Sequence, residues 1–132
     1  MSINLVPRLN CAISRRFFSR TYPLHDIFTI QDEDDFKAKV IESKKPVVVD
    51  FFATWCGPCK MLTPRLEVAL GGKGDKIDLA KVDVDNQENL AAQYKVSSVP
   101  TVFAVKNGKV IDTFVGNKDD DELRAFVEKI LD

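Results

Sequence analysis

From Asp26 onward the chain alternates short apolar runs with segments whose apolar residues return every three or four positions. "PVVVDFF", Pro46–Phe52, has no polar face, the pattern of a central strand covered on both sides. "IDLAKVDV", Ile77–Val84, reads as a second interior strand. "TVFAVKNGKVIDTFV" reads as two strands joined at Asn107-Gly108, a dipeptide suited to the positive φ values of a type I′ turn. Between these runs lie the helical patterns. "DEDDFKAKVIES" has an acidic start and places Phe36, Val40 and Ile41 on one face. Leu62, Leu66, Ala69 and Leu70 recur at helical spacing until "GGKGD" breaks the segment. "NQENLAAQY" is a short helix with Leu90, Ala91 and Tyr94 on one side. "DDDELRAFVEKIL" begins with acids, carries Leu123, Phe126, Val127, Ile130 and Leu131 in one stripe and has Lys129 near its end, so both ends suit the helix dipole. Strands alternating with helices predict an α/β sheet with helices packed on it.

Charge divides the chain in two. Residues 1–25 contain Arg8, Arg15, Arg16 and Arg20 and no acid, so with a whole-chain charge of −1 the remainder carries −5. On a helical wheel Val6, Leu9, Ile13 and Phe17 share one face, opposite Arg8 and Arg15. An amphipathic, Arg-rich, acid-free leader has the composition of an organelle-import signal. A secretory signal needs an unbroken apolar stretch, and here Pro7, Arg8 and Asn10 interrupt it. The expected organisation is therefore a mitochondrial transit peptide over 1–25, processed near Phe18, and one domain over 26–132; a basic tail retained in the cytosol is the alternative. With 132 residues, one hydrophobic core is expected. The balanced charge offers no surface for nucleic acid, and no apolar run approaches the roughly 18 residues of a membrane span.

The chemistry concentrates in "TWCGPCKM", Thr54–Met61, where a central strand gives way to a helix. Cys56 then falls at the helix N-terminus, where unpaired N–H groups and the positive dipole end favour a thiolate. Cys59 lies one turn further in, on the same face and less accessible, at a separation that permits a disulfide. Pro58 is tolerated in the first turn, whereas Pro64 removes an interior hydrogen bond and predicts a kink. A zinc site needs about four ligands, and beyond this pair only Cys11 and His25 remain, so no metal is expected. A disulfide closing two residues restricts the unfolded chain too little to serve stability alone. Redox exchange is the reading that remains. In "VVVDFF" Asp50 shares a strand face with Val48 and Phe52 and points toward a helix, where burial raises a carboxyl pKa.

"VVVDFFATWCGPCKM", "AKVDVD", "SVPTV", "KNGKV" and "FVGNK" together resemble the thioredoxin family, and with the Arg-rich leader its animal mitochondrial branch. The likeness runs from about Ile27 to Leu131. It implies a thioredoxin fold, a mixed five-stranded sheet flanked by four helices. It implies that Cys56 is the attacking thiol and Cys59 the resolving one, with Gly57 and Pro58 between them. Asp50 becomes the buried acid that helps to take the Cys59 proton, with Lys81 as its neighbour. An X–Pro bond is seldom cis, yet the resemblance implies that Pro100 is cis and faces the cysteines, with the preceding backbone pairing with an extended target segment. Trp55, Gly57, Val99 and Gly116 match the rim around the thiol; for Trp55, packing against the domain is the alternative to target contact. No bound cofactor is implied: electrons arrive from NADPH through thioredoxin reductase and leave to disulfide-containing targets such as peroxiredoxins. A monomer in the mitochondrial matrix is expected, with no role for Cys11 in the processed protein. A non-catalytic binding module and an oxidase or isomerase of a secretory compartment are the rival readings.

Overall fold

The computed structural model describes residues 26–132. The expected leader therefore lies outside the described residues, with Cys11 and His25. In order along the chain come β1 (Ile27–Thr29), α1 (Glu33–Phe36) with a π-helical turn (Lys37–Ile41), β2 (Val47–Phe52) and α2 (Gly57–Gly71). A 3₁₀ turn (Gly74–Lys76), β3 (Asp78–Asp83), α3 (Glu88–Gln93), β4 (Thr101–Lys106), β5 (Lys109–Val115) and α4 (Asp120–Leu131) follow. The strands form one sheet in the order β1-β3-β2-β4-β5. The β1–β3 and β3–β2 pairs are parallel and the β2–β4 and β4–β5 pairs antiparallel, so the sheet is mixed.

β2 is central because both its faces are apolar. Val48 packs with Leu62, Leu66 and Leu70 of α2 and Leu123, Val127 and Ile130 of α4 on one side. Val47, Val49 and Phe51 point the other way, toward Phe36, Val40 and Leu90, and there Phe51, Tyr94 and Phe103 form a cluster of tilted and edge-on rings. α2 continues through Pro64. Proline inside a helix costs about 3 kcal/mol, but burying three leucines contributes roughly 1.5–3 kcal/mol each, so packing outweighs the lost bond.

Two local features depart from the pattern in the sequence. The first helix is one α turn that widens into a π turn: Glu42 N–H donates to the Lys37 carbonyl five residues back at 2.9 Å. The wider turn suits a stripe spaced four and five residues from Phe36, burying Phe36 and Val40 and half-burying Ile41. β1 is a three-residue edge strand that apolar periodicity did not reveal, because only Phe28 turns inward. The hairpin is as expected, with φ of 55° at Asn107 and 79° at Gly108, and near the turn the register shifts between Ala104 and Val105 at a bulge. α4 starts on a capping box, Asp119 accepting from the Glu122 N–H while the Glu122 side chain accepts from the Asp119 N–H.

Candidate active site

β2 ends at Phe52, and the chain turns over Ala53–Trp55 before α2 begins. Cys56 is the N-cap of α2: its backbone is extended (φ −87°, ψ 113°), and its Sγ accepts from the Cys59 N–H at 3.2 Å. The sulfur thus occupies the place of a capping oxygen, against N–H groups that have no helical acceptor. Cys59 sits one turn in, with the two Cα atoms 5.3 Å apart and a disulfide joining the pair. Exposure hardly separates the cysteines, 4% for Cys56 against 2% for Cys59, so what distinguishes them is position on the helix dipole. Gly57 and Pro58 between them are exposed, and open space surrounds the position a Gly57 side chain would take. Ala53, with Phe52, Val84 and Val99, packs around the sulfurs.

Asp50 lies on the Val48 face of β2, fully buried, and points at α2 as its strand position dictates. The Thr63 hydroxyl donates to Oδ2 at 2.7 Å, while Oδ1 is buried without a partner. Burial pushes the Asp50 pKa up to about 6; the Thr63 hydrogen bond and the positive charge of Lys81 oppose the rise, and Glu67 adds to it. Lys81 is the register partner of Asp50 on β3.

The Val99–Pro100 peptide bond is cis. Val99 packs against the cysteine cluster, Pro100 is buried, and its carbonyl accepts from the Gly116 N–H at 2.9 Å, which brings the start of β4 and the end of β5 together. Gly116 has a φ of +92°, a conformation that side chains resist. Trp55 is 70% exposed, so the ring is not packed into the domain. Its Nε1–H donates to Asp85 Oδ2 at 3.0 Å, and the ring borders a hollow of about 130 Å³ with Val84, Val96, Ser97, Ser98 and Val99. Of the rim residues expected from the sequence, Gly57 lies between the cysteines, Val99 packs against them, Trp55 shares a hollow with Val99, and Gly116 is bonded to the neighbouring Pro100. Among the described residues no cluster of three or more His, Cys, Asp or Glu side chains stands ready for a metal ion.

Sequence reasoning missed Thr63 and Asp85. Each carried a signal. Thr63 is four residues beyond Cys59, on the same helical face. Asp85 follows Asp83, which pairs with Phe52, so parallel register leads both strand ends into the same region as Trp55.

Residues 27–129 match the family model described as Thioredoxin. The chain is 51% identical over 116 residues to "Thioredoxin, mitochondrial" of Rattus norvegicus, covering 88% of this chain and 70% of the relative. It is 54% identical over 104 residues to the protein of the same description from Mus musculus, where the match covers 79% of this chain and 63% of that one. Among solved structures, the thioredoxin of Malassezia sympodialis superposes with a TM-score of 0.74 at 37% identity, over 88% of this chain and all of that one.

Proposed function

We propose a division of labour in a chain that belongs to the thioredoxin family: Cys56 is the attacking thiol, Cys59 the resolving one and Asp50 the acid and base beneath them. Members of this family are protein-disulfide oxidoreductases, and Cys56–Cys59 occupies the active-site position for dithiol–disulfide exchange. The family's redox centre is this cysteine pair, with no bound cofactor; its members work with thioredoxin reductase and disulfide-containing targets.

In the reduced protein the Cys56 thiolate, favoured by the N-terminus of α2, attacks one sulfur of a target disulfide. A Cys56–target bond forms, the target S–S bond breaks, and the second target sulfur leaves with the electron pair. Asp50 takes the Cys59 proton, the Cys59 thiolate attacks Cys56 Sγ, and the target departs as a dithiol after protonation. Two electrons have moved, leaving the Cys56–Cys59 disulfide seen here. Val99 at the sulfurs, with Trp55, Pro100 and Gly116 linked to it through the shared hollow and the chain, provides the rim on which an extended target segment lies, read through its main chain and so with broad tolerance for sequence. Lys81 moderates the charge of Asp50.

The regenerating electrons come from NADPH through the reductase, peroxiredoxins are among the targets, and the protein works as a monomer in the mitochondrial matrix after losing residues 1–25. The mitochondrial descriptions of the relatives and the Arg-rich, acid-free leader support this placement. The observation that carries the reading is a disulfide at the N-cap of α2, a helix that also bonds the buried Asp50 carboxyl through Thr63, one turn beyond Cys59. The test is NADPH consumption with insulin disulfides and a thioredoxin reductase: steady turnover, abolished by Cys56→Ser, is expected. Absence of turnover with a competent reductase selects the binding-module alternative.

A further inference from the structure

Asp50 is the one buried side chain among the described residues with an oxygen lacking any hydrogen-bond partner, and its two oxygens are unequal. Oδ2 is held by Thr63 at 2.7 Å; Oδ1 is buried and has no partner. Thr63 itself is half-buried and lines an open, mostly apolar hollow of about 440 Å³ that Cys59 also lines. Thr63 therefore joins the buried acid by a hydrogen bond to a hollow that the resolving cysteine also lines. We propose that Thr63 is a positioning residue for the exchange: its hydroxyl pins Asp50 Oδ2 and leaves Oδ1 as the oxygen that accepts the Cys59 proton.

The proposal rests on the assignment of Asp50 as the base. Other groups act on the carboxylate from the elements around it: Lys81 on β3 favours its charge, Glu67 on α2 opposes it, and its β4 register partner, Val102, is apolar. None of these replaces Thr63, whose bond to Oδ2 is the hydrogen bond the carboxyl side chain makes. A donor to a buried carboxylate strengthens its ionised form, the form that can receive a proton. Without the hydroxyl the acid stays protonated to higher pH and its rotamer is no longer fixed. Cys59 then loses its acceptor on the acid side of neutrality. The attack of Cys56 on the target is unaffected, because the Thr63 hydroxyl bonds to Asp50 while Cys56 Sγ accepts from the Cys59 N–H, and Thr63 does not line the hollow beside Trp55.

The test is Thr63→Val, which keeps the shape and removes the donor, beside Thr63→Ser, which keeps the donor. The Asp50 carboxyl is titrated by carbon NMR in the oxidised protein, and mixed-disulfide resolution is timed across pH. In Thr63→Val the Asp50 midpoint is expected to move up by about one pH unit, the size of a charge-assisted hydrogen bond. The acid limb of resolution should move with it, about tenfold in rate well below the midpoint, while Thr63→Ser restores both. An Asp50 midpoint that does not move in Thr63→Val overturns the proposal. So does a moved midpoint with an unmoved acid limb, provided that Asp50→Asn alone slows resolution. If Asp50→Asn leaves resolution untouched, the base assignment falls and this proposal with it, whereas the titration separately reports whether Thr63 holds the carboxyl. Adding Thr63→Val to Asp50→Asn should change the rate no further, and a further loss would show that Thr63 acts by another route.

Discussion

At the scale of single residues, Asp50 combines a folding cost with a chemical use. Its carboxyl has a folded pKa of about 6, raised from 3.8 mainly by burial, so ionisation works against the native state. For a raised acid this penalty sets in as pH climbs past the unfolded value and is complete above the folded one. Asp50→Asn should therefore stabilise the oxidised protein by roughly 1–3 kcal/mol, with the gain growing between about pH 4 and pH 6 and level above that. The same variant should resolve mixed disulfides more slowly near pH 7. Urea unfolding and insulin reduction on one preparation check both; a loss of stability would contradict an uncompensated buried acid. For the cysteines, Cys59→Ser should accumulate mixed disulfides through Cys56 on non-reducing gels and Cys56→Ser few, because only Cys56 caps the helix. Equal trapping would reverse or erase the assignment. Asp50, Cys56 and Cys59 were legible in the sequence because strand alternation and helix spacing act over a few residues. The Thr63 contact was not read, since it spans 13 positions and depends on how α2 settles on β2.

At the scale of elements, long stripes translated directly into structure. The apolar positions of α4 became its buried face, and "PVVVDFF" became the middle of the sheet. The first helix was legible in existence and not in kind, because apolar residues four and five apart fit both an α-helix and a π turn until the sheet selects between them. Three residues pairing with a strand 52 positions away leave almost no periodicity, which is why β1 followed only from the resemblance. The hairpin is the element most dependent on one residue. A Cβ on Gly108 would meet the Ile41 carbonyl oxygen at 3.1 Å and would have to be carried at a φ of +79°. Gly108→Ala should thus cost on the order of 1–2 kcal/mol, read as a lower urea midpoint at unchanged slope, with disulfide reduction per folded molecule preserved. Undiminished stability would mean that the turn relaxes away from Ile41.

At the scale of the whole molecule, residues 1–25 carry +4 and residues 26–132 carry −5. Residues 1–25 fused to a fluorescent protein should direct it to mitochondria and be trimmed; a fusion that stays diffuse and full length would restore the cytosolic alternative. The sheet order also sets a schedule. β4 and β5 are joined by two residues and meet almost at once, whereas β1 must find β3 across 52 residues of chain, a slow loop to close and a small contact to hold. β1 should dock late and open early, so its amides should exchange with deuterium through local fraying while those of β2 wait for global unfolding. Direction then matters as well as rate. A chain drawn into a narrow pore by its N-terminus gives up its least secured strand first, which makes β3 the new edge, and the pull then meets β2, the next strand along the chain and the middle of the sheet. The same sheet, drawn from its other end, would first have to surrender α4 and its buried stripe.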